Sequence, residues 1–199
     1  MTKDNSTLGF YANNAEQFAQ RTPVNSFLEK RSAFASRLKV GAKILELGCG
    51  GGHDALAFLQ QGFDVTLLDG SPELATLAQI RTGQEVLVMD FSDISFDRQF
   101  DAVWASASLL HVPSAQLPPV LTQIVKSLGD GGILTASFKE GEGDWEDKFG
   151  RHFCGMDNEK LKNLLQATGF KVESLETIEG FGSDMKPTRW IWADAVKLI

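Results

Sequence analysis

The sequence predicts a single α/β domain built on a doubly wound, mostly parallel sheet. From about residue 43 onward, apolar runs of strand length alternate with amphipathic stretches of helical length, which is the pattern of such sheets. The first run leads into a glycine turn and then a helix, a junction typical of this fold class. A chain of 199 residues can also bury one core without disulfides. We therefore expect residues 1–199 to form one domain.

Seven strands follow from the alternation. They are expected at residues 43–47, 64–69, 85–89, 100–105, 133–138, 171–178 and 189–198. The first five are separated by connections long enough for helices, so they are expected to run parallel. The last two are joined without a helix, which favours an antiparallel pair.

Four helices are expected between these strands, at residues 54–61, 72–81, 114–128 and 157–168. Gly62 and Gly83 end the first two, because glycine readily adopts the conformation that follows a helix. Pro72 opens the second helix at a position where its missing N–H costs nothing, and glycines at residues 129–132 end the third.

Two segments lie outside this alternation. Residues 16–38 read as one or two helices, so residues 1–40 are expected to form a helical cover over the ligand side. Residues 139–156 are polar and contain glycines. Long connections of this kind are usually functional, and this one follows the carboxyl end of a strand, where open α/β sheets bind ligands. It is the expected substrate loop.

The glycine turn is suited to a nucleotide-like cofactor. Gly48 and Gly50 let the backbone turn sharply, and the helix that follows presents unpaired amides. The dinucleotide fingerprint needs a third glycine, but His53 stands in that place. Glu46, just before the turn, would repel a pyrophosphate and attract a cationic ligand.

At this point the chain resembles the class I S-adenosylmethionine (SAM) dependent methyltransferases, whose first motif stands here as Glu46-Leu47-Gly48-Cys49-Gly50. The resemblance implies SAM as cofactor, with Glu46, Gly48, Cys49 and Gly50 among the residues that bind it. It also implies a seven-stranded Rossmann-like sheet of order 3-2-1-4-5-7-6, with strand 7 antiparallel.

Acidic residues end the next two strands. Asp69 lies about 20 residues after the turn, where a carboxylate can accept both ribose hydroxyls of an adenosine. Gly70 and Ser71 belong to the same contact region, although Ser71 is also a plausible helix N-cap. The resemblance implies that Asp90 and Phe91 read the adenine.

Other parts of the cofactor site rest mainly on resemblance. At the end of the fourth strand, Ala105 is the candidate for contact with the methionine moiety. Residues 9–19 are similar to the Tyr-x-x-x-Ala lead-in of methyltransferases of the tellurite-resistance and ubiquinone-pathway type, which implies a segment folded over SAM. Tyr11 could then face the sulfonium, and Arg21 could pair with the SAM carboxylate. Alternatively, Tyr11 only anchors a helix and Arg21 is solvated.

Methyl transfer needs mainly alignment, so no obligatory catalytic residue follows. A hydroxyl acceptor would need a base, for which His111 and His152 are candidates. Tyr11 is a further candidate for a catalytic residue. Charges in the substrate loop conflict. Its basic residues, which would suit an anionic acceptor, are Lys139, Arg151 and His152. Its acidic residues, which would suit a cationic acceptor, are Glu140, Glu142 and Asp144.

Composition narrows the function further. The net charge of −7, without a basic cluster, argues against nucleic-acid partners. Cys49 and Cys154 have neither disulfide nor metal spacing, and no apolar run approaches a membrane span. We expect a cytoplasmic protein that does not insert into membranes, needs no metal and methylates a small molecule.

Two alternatives stay open. One is a SAM-binding protein without turnover, such as a sensor or an inactive subunit. The other is an NAD-dependent oxidoreductase, which His53, Glu46 and the helix-free final strand pair disfavour.

Overall fold

The computed structural model describes residues 5–21 and 27–198, including all side chains except those of Asn5 and Arg21. The helices in this part of the chain are α1 (Asn5–Asn13), α2 (Ala15–Arg21), α3 (Leu28–Ser36), α4 (His53–Gln60), α5 (Pro72–Thr82), α6 (Leu117–Ser127) and α7 (Asn158–Ala167). The strands are β1 (Lys43–Leu47), β2 (Asp64–Asp69), β3 (Val86–Val88), β4 (Phe100–Ala105), β5 (Leu128–Lys139), β6 (Asp144–Glu146), β7 (His152–Cys154), β8 (Phe170–Phe181) and β9 (Pro187–Lys197).

Seven of these strands form one sheet in the order β3-β2-β1-β4-β5-β9-β8. Strands β1 to β5 pair in parallel, whereas β9 is antiparallel to both β5 and β8. The expected fold, order and antiparallel strand are therefore confirmed. The carboxyl ends of β1 to β5 meet at one edge, which is where ligands bind in open sheets.

An aromatic cluster fixes the sheet against α3 and α4. The ring of Trp104 on β4 lies 5.0 Å from Phe34, 5.7 Å from Phe58 and 5.4 Å from Trp192, measured between centroids. All four side chains are buried, and each contributes about 1.5–3 kcal/mol by burial. Trp190, like Trp192, is buried.

Helix α5 begins and ends as its sequence predicts. The Ser71 hydroxyl accepts a hydrogen bond from the Leu74 amide at 3.3 Å, and Pro72 follows as the first helical residue. Gly83 ends the helix in the left-handed region, with φ 70°. The N-cap alternative for Ser71 is thus confirmed.

Several expected boundaries were wrong. Helix α6 begins at Leu117 rather than 114, because Pro118 and Pro119 are tolerated only in a first turn and Ser114 is bonded to Asp144 instead. Strand β5 begins at Leu128, where it pairs with Phe100 across a bulge.

The expected loop at residues 139–156 contains a small antiparallel pair of strands, β6 and β7. Cys154 is the last residue of β7. Helix α1 precedes the segment for which helices were expected, so the described cover contains three helices. None of the helices in residues 5–21 and 27–198 is both long and apolar enough to cross a bilayer.

Candidate active site

A cavity of about 1710 Å³ lies at the carboxyl edge of the sheet. Its floor is the glycine turn and the ends of β2, β3 and β4, and its walls are α1, α2, residues 148–153 and the β8–β9 hairpin. Sites for one small ligand occupy about 300–1,000 Å³. This cavity is large enough for two molecules side by side.

The glycine turn depends on Gly48 and Gly52. Both have positive φ, 70° and 76°. A Cβ on Gly48 would lie 2.5 Å from the Ser108 Cβ, and one on Gly52 would lie 3.0 Å from the Ala78 Cα on α5. Gly52, rather than the residue in the fingerprint's third place, therefore lets α4 pack closely.

Glu46 lies at the cavity floor with an incomplete set of partners. It is 4% exposed, and its Oε2 has no hydrogen-bond partner among the described residues. Arg31 does not bond Glu46, because its guanidinium bonds Asp54 at 2.7 Å. Trp104 Nε1 donates to the Asp54 carboxylate as well, at 2.9 Å. The charge of Arg31 lowers the pKa of Glu46 but does not cancel the effects that raise it. Burial raises the pKa of Glu46 well above its usual range, and the carboxylates of Asp54 and Asp69 raise it further. A ligand cation at this place would satisfy the carboxylate.

Asp69 is held by the backbone. Its Oδ2 accepts from the Gly50 amide at 2.8 Å, and its Oδ1 accepts from the Ser71 amide at 2.9 Å. Burial raises the pKa of Asp69 to about 6, although these amides oppose the rise. Each carboxylate oxygen can accept a second hydrogen bond, so Asp69 can still receive ligand hydroxyls. Gly70 also lines the cavity, and Leu8 of α1 covers it, 2.7 Å from where a Cβ would stand.

The structure brings most of the expected cofactor residues together. The residues of that set that line the cavity are Tyr11, Glu46, Gly48, Cys49, Gly50, Asp69, Gly70, Asp90 and Phe91. Ser71 is buried as the cap of α5 and does not line it. The Arg21 side chain lies outside the described residues, so its pairing stays a prediction. Asp90 is also a turn residue, since its Oδ1 accepts from the Ser92 amide at 2.8 Å.

Ala105 is not placed for ligand contact. It is fully buried in the sheet, and the cavity is lined instead by Ser106, Ala107 and Ser108. Ala107 has φ 51°, in the left-handed region, and its amide donates to Ser137 Oγ at 2.8 Å. Left-handed non-glycine residues are uncommon and cluster at functional sites. The run of small residues after β4 was the only signal for this turn.

His111 is a partner of Tyr11 rather than a free base. Its Nε2 lies 2.8 Å from the Tyr11 hydroxyl, and its Nδ1 lies 2.6 Å from the His152 carbonyl oxygen. Because a carbonyl only accepts, Nδ1 carries the hydrogen and Nε2 accepts from Tyr11. Burial lowers the pKa of His111 to about 4, so the imidazole is neutral at physiological pH. Burial also raises the pKa of Tyr11.

The other expected base, His152, is not at the site. Its imidazole does not line the cavity, and its Nε2 lies 3.8 Å from Asp144 Oδ2. Strand β7 alternates its side chains, so Phe153 faces the cavity and His152 faces away from it.

His53 has a role that the sequence did not reveal. Its Nε2 lies 2.8 Å from the carbonyl oxygen of Ala19 on α2. Tyr11 and Phe18 meet edge to face, with centroids 5.0 Å apart. The residue that replaces the third glycine therefore fastens the cover to the glycine turn. No sequence pattern could have indicated this contact, because it joins residues far apart in the chain.

The structure describes no metal centre: within its two described ranges, no group of three or more His, Cys, Asp or Glu side chains is arranged to hold an ion. The sheet order and the acid-lined glycine turn instead define a methyltransferase-type fold and site. Residues 17–175 match the family model described as a methyltransferase domain, and the chain belongs to that family.

Two relatives are similar to parts of the chain. An uncharacterised methyltransferase of Synechocystis is 34% identical over 96 residues, which cover 47% of this chain and 45% of the relative. The ubiquinone biosynthesis O-methyltransferase of Xanthomonas campestris is 34% identical over 104 residues, covering 49% and 43% respectively. The chain thus matches about half the length of these relatives.

The fold is shared over nearly the whole chain with a solved structure. The 1,6-didemethyltoxoflavin-N1-methyltransferase of Burkholderia thailandensis superposes with a TM-score of 0.81, covering 98% of this chain and 88% of its own, at 21% identity. That structure contains bound 1,6-didemethyltoxoflavin and S-adenosylhomocysteine.

Proposed function

We propose that the protein transfers a methyl group from SAM to a small-molecule acceptor. The observation that carries this is the buried Glu46 carboxylate, which faces the cavity beside the glycine turn with one oxygen unbonded. A pyrophosphate would be repelled there, whereas the ammonium of a methionine moiety would complete the carboxylate's partners.

The remaining groups suit the other parts of the same cofactor. Asp69 would receive the ribose hydroxyls, and Asp90 with Phe91 would contact the adenine. The amides of Gly48 and Gly50 are bonded to the Leu68 carbonyl oxygen and to Asp69, so these glycines would offer the methionine side a close backbone rather than free donors. The S-adenosylhomocysteine in the Burkholderia structure supports this assignment.

SAM supplies a methyl group activated by its sulfonium. The chain's own contribution is mainly alignment, which can lower a barrier by about 7–11 kcal/mol. Helices α1 and α2 form part of the cavity wall. Tyr11 gives its hydrogen to His111, and its hydroxyl oxygen also takes part in a hydrogen bond with Arg151. Since His111 is neutral and its Nε2 is occupied, we propose that no histidine acts as a base.

The volume of the cavity favours turnover over mere binding. A sensor or inactive subunit predicts a site closed to acceptors, but this cavity continues past the cofactor residues to Lys139, Phe153 and Trp190. We extend the proposal to a cytoplasmic location, supported by two free cysteines. The net charge of −7 supports partners other than nucleic acid.

Thermal-shift measurements with SAM, S-adenosylhomocysteine and NAD, followed by an acceptor screen with methyl-labelled SAM, test the proposal. SAM and S-adenosylhomocysteine should raise the melting temperature, and label should appear on a small molecule. Stabilisation by NAD alone would refute the cofactor. Tight SAM binding without transfer of label to any acceptor would favour a SAM-binding protein without turnover.

A further inference from the structure

We propose that the acceptor carries a carboxylate-like negative group, and that Lys139 binds this group. The inference rests on the proposed function, because it assigns the part of the cavity that the cofactor residues leave free. It makes Lys139 the residue that determines the charge of the acceptor.

The structure resolves the conflict of charges in residues 139–156. The acids of this segment do not line the cavity. Glu140 pairs with Arg189 at 2.7 Å, and Asp144 accepts from the amide and hydroxyl of Ser114 at 3.0 and 3.1 Å. Lys139, Lys148 and Arg151 do line it. The charges that this segment turns toward the ligand are therefore positive.

Lys148 is exposed. Of the other two cations, Lys139 is the one without a carboxylate. Asp147 bonds Arg151 through Nε at 2.9 Å and Nη2 at 2.7 Å. No carboxylate of the described residues lies within 4.0 Å of the Lys139 Nζ. Burial and the nearby Arg151 both lower the pKa of Lys139. A half-buried ammonium in this setting is stabilised by an anion.

Acids near the ammonium are exposed or engaged elsewhere. The charges of Asp184 and Asp147 raise the pKa of Lys139 from a distance, and the charge of Lys186 lowers it. Asp184 is exposed at the rim of the cavity, 3.9 Å from the Lys186 Nζ. The interior of this half is thus positive, whereas Glu46, Asp69 and the other strand-end acids make the cofactor half negative.

Aromatic rings surround the cations of this half of the cavity. The Lys139 Nζ lies 3.9 Å from the Phe153 ring centroid and 5.9 Å from that of Trp190. Phe10 and Phe149 add a second wall, with centroids 5.4 Å apart. The Arg151 guanidinium carbon lies 4.5 Å from the Phe10 centroid and 5.3 Å from that of Phe153, so two cations lie among these rings. A negative group on the acceptor would meet the Lys139 ammonium there.

Calorimetric titration with a matched pair of probes tests the inference. 2-Naphthoate and its neutral amide, 2-naphthamide, are titrated with and without saturating S-adenosylhomocysteine. The wild-type chain should bind naphthoate about tenfold more tightly, as expected for one charge-assisted hydrogen bond. This preference should shrink as salt is added.

Variants assign the preference to one ammonium. Lys139→Gln should reduce it to about twofold or less, and Lys139→Arg should retain most of it. Lys162→Gln, which removes the same charge from an exposed face of α7, should leave it unchanged. Equal binding of the two probes, no naphthoate binding to wild type, or an unchanged preference in Lys139→Gln would overturn the inference.

The two proposals fail differently in this experiment. If S-adenosylhomocysteine binds but the amide binds as well as the carboxylate, only the acceptor inference fails. If S-adenosylhomocysteine does not bind, the proposed function fails. The preference for naphthoate over naphthamide, and its dependence on Lys139, are still measured without S-adenosylhomocysteine.

Discussion

The Tyr11 hydroxyl lies 2.8 Å from His111 Nε2, and this bond joins the first helix of the cover to the turn after β4. Tyr11→Phe would leave the buried Nε2 without a donor, which typically costs about 1–3 kcal/mol. We expect the free energy of unfolding, measured with denaturant, to fall by that amount. Ser36→Ala, which removes an exposed bond within α3, should change it by less than about 0.5 kcal/mol. Equal effects of the two variants would contradict the role of the bond.

His111 should titrate far below an ordinary histidine. Its pKa is lowered to about 4 by burial, whereas in the unfolded chain it is about 6.5. The unfolded state therefore takes up a proton first, and the stability that neutral His111 provides is lost as pH falls from about 6.5 to 4. NMR titration of the His111 ring should show a midpoint near 4. A midpoint near 6.5 would show that the ring is solvated.

Gly52 should tolerate alanine worse than Gly83 does. Both have positive φ, but only at Gly52 would a Cβ meet another helix, 3.0 Å from the Ala78 Cα. Gly83→Ala should cost about 1 kcal/mol from backbone strain alone. Gly52→Ala should cost a further 1–3 kcal/mol, roughly, from overpacking. Thermal or denaturant unfolding of the pair measures the difference, and equal costs would mean that α4 and α5 do not pack as described.

Glu46→Gln should make the ligand-free protein more stable. The folded pKa of Glu46 is raised, so its carboxyl stabilises the fold below about pH 4.3, the ordinary pKa of glutamate, and this contribution is lost as pH rises through the folded pKa. At pH 8 the amide should therefore raise the free energy of unfolding by about 1–2 kcal/mol. Glu159→Gln, at the exposed start of α7, should be neutral or slightly destabilising. A loss of stability in Glu46→Gln would show that the carboxylate has a partner.

The sequence predicted the bounds of several central strands, and most of the residues that it proposed for the cofactor line the cavity. Strands β1 and β2 have their expected bounds, because a buried parallel strand reads as one apolar run between polar or glycine residues. Asp69 and Glu46 were found because motifs at strand ends are local in the chain.

Contacts between distant segments could not be read in this way. Three such features depend on how the cover and the segment after β5 pack. They are the bond from His53 to Ala19, the direction of the His152 side chain away from the cavity, and the left-handed backbone of Ala107. Pairing also decided which charges face the cavity, since Glu140 is engaged by Arg189 on a neighbouring strand. Such choices are made by tertiary structure and leave no periodic signal.

Calorimetric titration of SAM into the wild-type protein and into Glu46→Gln at pH 7 tests the central claim most directly. We expect saturable binding at one site in the wild type. The variant, which cannot offer a carboxylate to the ammonium, should bind about 10- to 100-fold more weakly. No binding of SAM to the wild type, or equal affinity in the two proteins, would contradict the assignment of this cavity as a SAM site built around Glu46.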